Sequence, residues 1–244
     1  MRRTSRYNKP SSPEGLPCSS YAVEPLSIFH INVRGFVSHS DELSAVLTFE
    51  NYLTYVGISE TFLNDSVEDV DLPGYTLVSR RDRRNGSGGG ICLFVKSELE
   101  DTIVHIADST SHERSWHVIH ADIGPILLGL NYRPPAKGDV SFVETLQEEF
   151  LARRDAHAAT VLVGDFNVHE VTWLRFSSGT SPEGRRLRDF CCDYAFKEFT
   201  KCPSHAHGNL LDLTLSDLEQ GLSTRVVGGV AGNNDHFGVH VSLT

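Results

Sequence analysis

Thr160-Val161-Leu162-Val163 is a short run of β-formers that ends at Gly164, and Asp165-Phe166-Asn167-Val168-His169 follows at once. An apolar run of this length closed by a breaker predicts a fully buried strand. Side chains two apart on an extended segment share a face, so Asp165 and Asn167 are expected to project together from its C-terminal end. That end is a common place for chemistry in layered α/β proteins. An isolated D-x-N also reads, more plainly, as an Asx turn closing a strand. The rest of the chain has to decide between the two.

Similar runs recur. Strands are expected at 26–31, 54–59, 75–80, 90–96, 102–107, 115–122, 126–131, 210–215, 225–230 and 237–243. Asp41 is positioned to cap a helix running to about Asn51. An amphipathic helix is expected over 139–155, with Phe142, Leu146, Phe150 and Leu151 on one face, and another over 182–194 with Pro182 near its start. Tyr132-Arg133-Pro134-Pro135 breaks the sheet between them. Many strands with a few interspersed helices predict a four-layer α/β sandwich: two packed mixed β-sheets flanked by helices. One domain is expected over 26–244. Residues 1–25, with Arg2, Arg3, Arg6 and Lys9 ahead of a Pro/Ser/Gly stretch, read as a flexible basic tail that cannot bury a core.

The 244 residues carry a formal net charge of −10, which argues against an indiscriminate polyanion binder and suits a site that holds hard divalent cations on carboxylates. Cys18, Cys92, Cys191, Cys192 and Cys202 show no C-x-x-C spacing and read as free thiols in a reducing compartment. No membrane-spanning stretch and no secretory apolar region is evident, so the expected location is intracellular.

The strands share one peculiarity. Several end in a polar group, and the groups differ in kind: Asn32, Glu60, Tyr132, Asp165 with Asn167, and Asp235-His236 before the last strand. Asp212 sits in a strand otherwise made of leucine and threonine. Each alone has a bland explanation: a surface carboxylate, a half-buried packing tyrosine, a turn histidine. Together they imply convergent polar groups and a metal-dependent site.

The ordered set Ile31-Asn32-Val33-Arg34-Gly35, Ser59-Glu60-Thr61, Tyr132-Arg133-Pro134-Pro135, Gly164-Asp165-Phe166-Asn167, Leu211-Asp212-Leu213-Thr214-Leu215 and Asn234-Asp235-His236 resembles the endonuclease/exonuclease/phosphatase superfamily. Within it, the chain looks like the apurinic-type endonuclease domain of non-LTR (LINE-type) retrotransposons. The connecting stretches Leu72-Pro73-Gly74-Tyr75, Gly88-Gly89-Gly90-Ile91 and Val168-His169 with Trp173 match that branch too. The resemblance covers about 26–244. It implies a DNase I-like fold and a Mg²⁺- or Mn²⁺-dependent phosphodiesterase, with Glu60, Asn32 and Asp235 holding the metal. It further implies that Asp165 activates the attacking water, that Asn167 and Tyr132 hold the phosphate, and that His236, oriented by Asp212, faces the phosphate. In that setting the enzyme nicks duplex DNA so that a 3′-hydroxyl can prime a reverse transcriptase encoded downstream.

Two positions depart from the pattern. Arg34 stands where repair-type relatives carry a carboxylate, and Asn234 replaces a serine; neither belongs to the matched catalytic set. The arginines around Arg80–Gly89, chiefly Arg81, Arg83 and Arg84, are the expected DNA contacts, with Arg34 and His169 beside them, although a solvated hairpin tip has the same composition. His205 and His207 lack cysteine partners at zinc-finger spacing. The alternatives are an apurinic/apyrimidinic repair endonuclease, a superfamily phosphatase, or a catalytically silent DNA-binding remnant.

Overall fold

The computed structural model describes residues 26–84, 88–228 and 234–244. The tail expected at 1–25 lies outside them, as do Cys18, Val230 and Asn233. In chain order the strands are β1 (Leu26–Asn32), β2 (Tyr55–Ser59), β3 (Tyr75–Arg81), β4 (Ile91–Lys96), β5 (Ile103–Asp108), β6 (Glu113–Ala121), β7 (Gly124–Tyr132), β8 (Ala159–Asp165), β9 (Lys197–Glu198), β10 (Asp212–Ser216), β11 (Leu222–Val227) and β12 (Gly238–Leu243). The helices are α1 (Phe36–Phe49), α2 (Ser141–Leu151) and α3 (Pro182–Asp193). One sheet has the order β11-β12-β1-β2-β4-β3 and the other β5-β6-β7-β8-β10-β9. Each holds a single parallel pair at its centre, β1 with β2 and β7 with β8, and every other pairing is antiparallel. Two mixed six-stranded sheets flanked by helices is the expected sandwich.

Period-two alternation explains the layers. In β1, Ile28 faces the second sheet, while Phe29 and Ile31 pack under α1 with Leu43 and Leu47. In β8, Val161 and Val163 face inward, while Leu162 packs outward with Phe142 and Phe150 of α2 and Phe190 of α3. Burial on both faces removes the alternation of apolar and polar residues, which is why β8 reads as one continuous apolar run.

Several expectations are corrected. Asp41 does not cap α1, which starts at Phe36 with Gly35 before it and no side-chain cap. Pairing of Gly35 N–H with the Glu60 carbonyl and of Phe36 N–H with the Thr61 carbonyl sets the helix start instead. Leu151 is 43% exposed although Phe142, Leu146 and Phe150 are buried. It lies one residue past their i, i+4, i+8 stripe and so turns to solvent. The strand expected at 225–230 begins earlier, at Leu222.

Gly164 shows how tightly β8 is held against β7. Its φ is +147°, and a Cβ there would lie 1.9 Å from the Asn131 carbonyl oxygen. Gly164→Ala is expected to lower unfolding stability by at least about 2 kcal/mol, from backbone strain plus overpacking. A urea midpoint equal to wild type would contradict this account of the strand junction.

Candidate active site

Strand direction gathers the polar residues at one edge. The parallel pair β1 and β2 runs toward Asn32 and Ser59, which are in register. The parallel pair β7 and β8 runs toward Tyr132 and Asp165, also in register. β10 is antiparallel to β8 and begins at Asp212, directly opposite Asp165. His236 lies two residues before the start of β12, which is antiparallel to β1. C-terminal ends of parallel strands and N-terminal ends of their antiparallel neighbours therefore meet. The side-chain alternation that places Ile28, Val161 and Val163 inward also places Asn32, Tyr132, Asp165 and Asp212 inward.

Hydrogen bonds join these residues. The Asn32 side-chain N–H group donates both to Glu60 Oε1 at 2.8 Å and to Asp165 Oδ2 at 2.9 Å. Tyr132 donates its hydroxyl to Glu60 Oε1 at 2.9 Å. Asn167 donates through Nδ2 to Asp165 Oδ2 at 3.0 Å and through its backbone N–H to Asp165 Oδ1 at 3.2 Å. The Asx turn and the converging pair are thus one geometry: one carboxylate oxygen closes the turn while the other faces the cluster. His236 Nδ1 meets Asp212 Oδ2 at 2.9 Å, and its Nε2 lies 3.9 Å from Asp165 Oδ2. Ligand atoms of Asp165, Asp212 and His236 lie within 4.8 Å of one another.

Charge follows from this packing. Burial, and then the neighbouring Asp212, push the Asp165 carboxyl up to about 8, against the pull of His236 and Asn32. Burial alone would lower His236, but Asp212, Asp165 and Glu60 outweigh it and raise the imidazole to about 9. His236 is therefore a cation at neutral pH, with a proton on each ring nitrogen and Nδ1 donating to Asp212. Burial and Glu60 raise the Tyr132 hydroxyl, which stays a protonated donor.

The backbone is strained at the same edge. Arg34, Glu60, Phe62 and Asn167 have φ between 47° and 54°, in the left-handed region. Each costs roughly 1–2 kcal/mol, and such outliers cluster at functional sites. Cross-links hold them: Val33 N–H to the Ser59 carbonyl, Arg133 N–H to the Asp165 carbonyl, and Phe166 N–H to the Leu211 carbonyl. Arg133, 2% exposed, also donates to the Asn167 carbonyl at 3.1 Å and lies 3.4 Å from Glu183, which fixes the turn after β8.

The remaining expected site residues lie beside this cluster or apart from it. Asp235 accepts from Arg34 Nη1 at 2.9 Å, both side chains being partly exposed. Arg83 is held by Glu113 at 2.6 and 3.1 Å and lies over the Tyr132 ring, so it ties the arginine loop to the site. Arg81 and Arg84 line an open cleft with Arg80, His112 and Glu113. The His169 ring is half-buried beside Ser178, and its carbonyl accepts from Ser181 N–H. Three contributors escaped the sequence reading. Ser204 Oγ accepts from the N–H groups of Leu211 and Asp212 and seats the start of β10. His205 packs edge-on against His236, with ring centroids 4.8 Å apart. His30 lies within β1, and its shared face with Asn32 was the signal that could have found it. Asn234, in the position usually occupied by serine, donates to the Asn32 carbonyl and accepts the His236 N–H, so it bridges β1 to the last loop.

Among known proteins, the sequence profile of the endonuclease/exonuclease/phosphatase family matches residues 30–233. No curated protein resembles the sequence closely enough to count as a match. The endonuclease domain of TRAS1, a telomere-specific non-LTR retrotransposon, superposes with a TM-score of 0.72 at 16% identity, covering 90% of this chain and 98% of that one. The AP endonuclease LMAP from Leishmania major gives 0.72 at 16% identity, covering 90% and 88%. The 3′ phosphatase NExo from Neisseria, bound to product DNA hairpin, gives 0.67 at 13% identity, covering 90% and 99%. At these identities the likeness establishes the DNase I-like fold.

In metal-free protein both pKa shifts favour the protonated native state. Stability contributed by His236 is complete below 6.5 and is lost as pH rises to about 9, and the Asp165 contribution falls in the same direction up to about 8. In EDTA, the urea midpoint of the wild type should drop more between pH 6.5 and 9 than that of an Asp165→Asn/His236→Asn double variant. Equal drops would refute these assignments.

Proposed function

The chain belongs to the endonuclease/exonuclease/phosphatase family, and within it we propose that it is a divalent-metal-dependent endonuclease that nicks duplex DNA. One observation carries this reading: Asn32, Glu60, Tyr132, Asp165, Asn167, Asp212 and His236 form one connected polar cluster at the open edge of the sandwich. The retrotransposon role rests on the motif resemblance and on the fold shared with the TRAS1 endonuclease domain. In that role a reverse transcriptase would take over the 3′-hydroxyl at the nick, and the work would be done in the nucleus.

The donor set fits a hard cation. Glu60 and Asp165 present carboxylate oxygens bridged by one amide, and Asp235 lies on the rim, whereas buried Cys92 and Cys191 pack into the outer layers. Oxygen donors of this kind suit Mg²⁺ or Mn²⁺, and Glu60, Asn32 and Asp235 would hold the ion. When bound, it supplies Lewis-acid stabilisation of the phosphoryl oxygens.

The chain's own groups then have distinct tasks. Asp165, in its ionised form, accepts a proton from the attacking water, and Asn167, fixed by the turn, holds that water or the phosphate in line. His236, cationic through Asp212, donates from Nε2 to a non-bridging oxygen as negative charge develops. Tyr132 donates to the same phosphate. Arg81 and Arg84 make salt-sensitive contacts to the duplex backbone.

Supercoiled plasmid incubated with Mg²⁺ should become open circles bearing 3′-hydroxyl and 5′-phosphate ends. Glu60→Ala and His236→Ala should each slow nicking by about 10²-fold or more. Variants as fast as wild type, or a wild type that leaves plasmid intact, would sink the reading. A strong preference for an abasic oligonucleotide would point to repair instead. Arg81→Ala/Arg84→Ala should weaken binding uniformly across sequences and reduce the log–log salt slope by about 1 per lost contact, as read by fluorescence anisotropy.

A further inference from the structure

We propose that His30 is a positioning residue of the nuclease site: its Nδ1–H holds the second oxygen of Asp212, so that the first is fixed on His236. The proposal rests on the reading of Asp212 and His236 given above. His30 is 1% exposed, lies on the inward face of β1 shared with Asn32, and is paired in register with Val239 of β12 and Gly57 of β2. Its Nε2 is 3.1 Å from Ser59 Oγ, and its Nδ1 is 3.5 Å from Asp212 Oδ1. Those two facing atoms, His30 Nδ1 and Asp212 Oδ1, are both buried and have no hydrogen-bond partner elsewhere, and their 3.5 Å contact is too long or too bent to count as a formed hydrogen bond. A buried donor or acceptor left alone costs about 1–3 kcal/mol, so the two atoms are each other's remedy.

The proton inventory admits one arrangement. A neutral imidazole carries a single proton. Asp212 Oδ1 can only accept, so that proton belongs on Nδ1, and the Ser59 hydroxyl donates to Nε2. Asp212 then sits between two imidazoles, the neutral His30 on one oxygen and the cationic His236 at 2.9 Å on the other. A small closing of the 3.5 Å contact gives Asp212 a donor on each oxygen, and two opposed donors fix the plane of the carboxylate. That plane sets the direction in which His236 Nε2 points. Nothing in the arrangement places His30 against substrate; it acts through Asp212.

The wild-type protein supplies the first test. A long-range ¹H–¹⁵N spectrum of the histidine rings should show His30 protonated on Nδ1 and bare on Nε2; the opposite tautomer would overturn the proposal. Replacement supplies the second. His30→Leu keeps bulk without a donor and should lower kcat for plasmid nicking by about tenfold to a hundredfold, with KM within about twofold and a cooperative thermal transition retained. His30→Gln, which can present an N–H to Asp212, should recover part of that loss. The downfield proton of His236 Nδ1 should shift in His30→Leu and return toward its wild-type position in His30→Gln. A His30→Leu enzyme with wild-type kcat, a loss confined to KM, or an unmoved His236 resonance would each refute the assignment. If the wild type nicks no DNA, the endonuclease reading fails, while the tautomer and the His236 resonance still decide the role of His30.

Discussion

Two carboxylates, Asp165 and Asp212, stand directly opposite one another on adjacent antiparallel strands, and both are fully buried. Like charges in such positions repel; at 4 Å the cost is about 4 kcal/mol even in an effective dielectric of 20. Neither carboxylate can be left in that position without compensation. His236 reaches both, Asn32 and Asn167 donate to Asp165, and Ser204 fixes the backbone at Asp212. Much of the polar structure at this edge can be read as the set of partners that one unfavourable juxtaposition demands.

Backbone architecture creates that juxtaposition. Each sheet carries one parallel pair at its centre, so two strand ends per sheet point the same way, and the antiparallel neighbours begin where those strands stop. Because side chains alternate, a shift of one residue in any of these strands would turn its functional group out of the interior. The bulky inward residues Ile28, Leu130, Val161 and Val163 pin that register through the inter-sheet core. Packing and placement of the polar groups are therefore a single constraint.

Much of this was legible in the chain itself. The strands were readable because doubly buried segments are short, apolar and closed by breakers, and the polar strand ends stood out against them. The start of α1 was not, because tertiary pairing of Gly35 and Phe36 with the Glu60–Thr61 turn defines it rather than any capping side chain. The left-handed conformations at Arg34, Glu60 and Asn167 were also hidden, since non-glycine residues give no local sign of being forced there. His30 looked like an ordinary strand residue because its partners, Ser59 and Asp212, come from distant parts of the sequence. Arg83 was read by its charge alone, whereas its position is set by Glu113, three strands later.

The pairing of β1 with β12, which joins Leu26 to Leu243 at opposite ends of the described chain, also bears on how the molecule is assembled. The units β1-α1-β2 and β7-α2-β8 are each local in sequence, whereas seating β12 closes nearly the longest loop the chain can form. Loop-closure entropy disfavours such contacts until the local units are in place. His236 arrives with that last strand, so Glu60, Asp165, Asp212, Asn32 and Asn167 can be gathered before the histidine is. Competence for chemistry is then tied to the closing step of folding: a partly folded chain would hold the acidic half of the site without the cation that balances it.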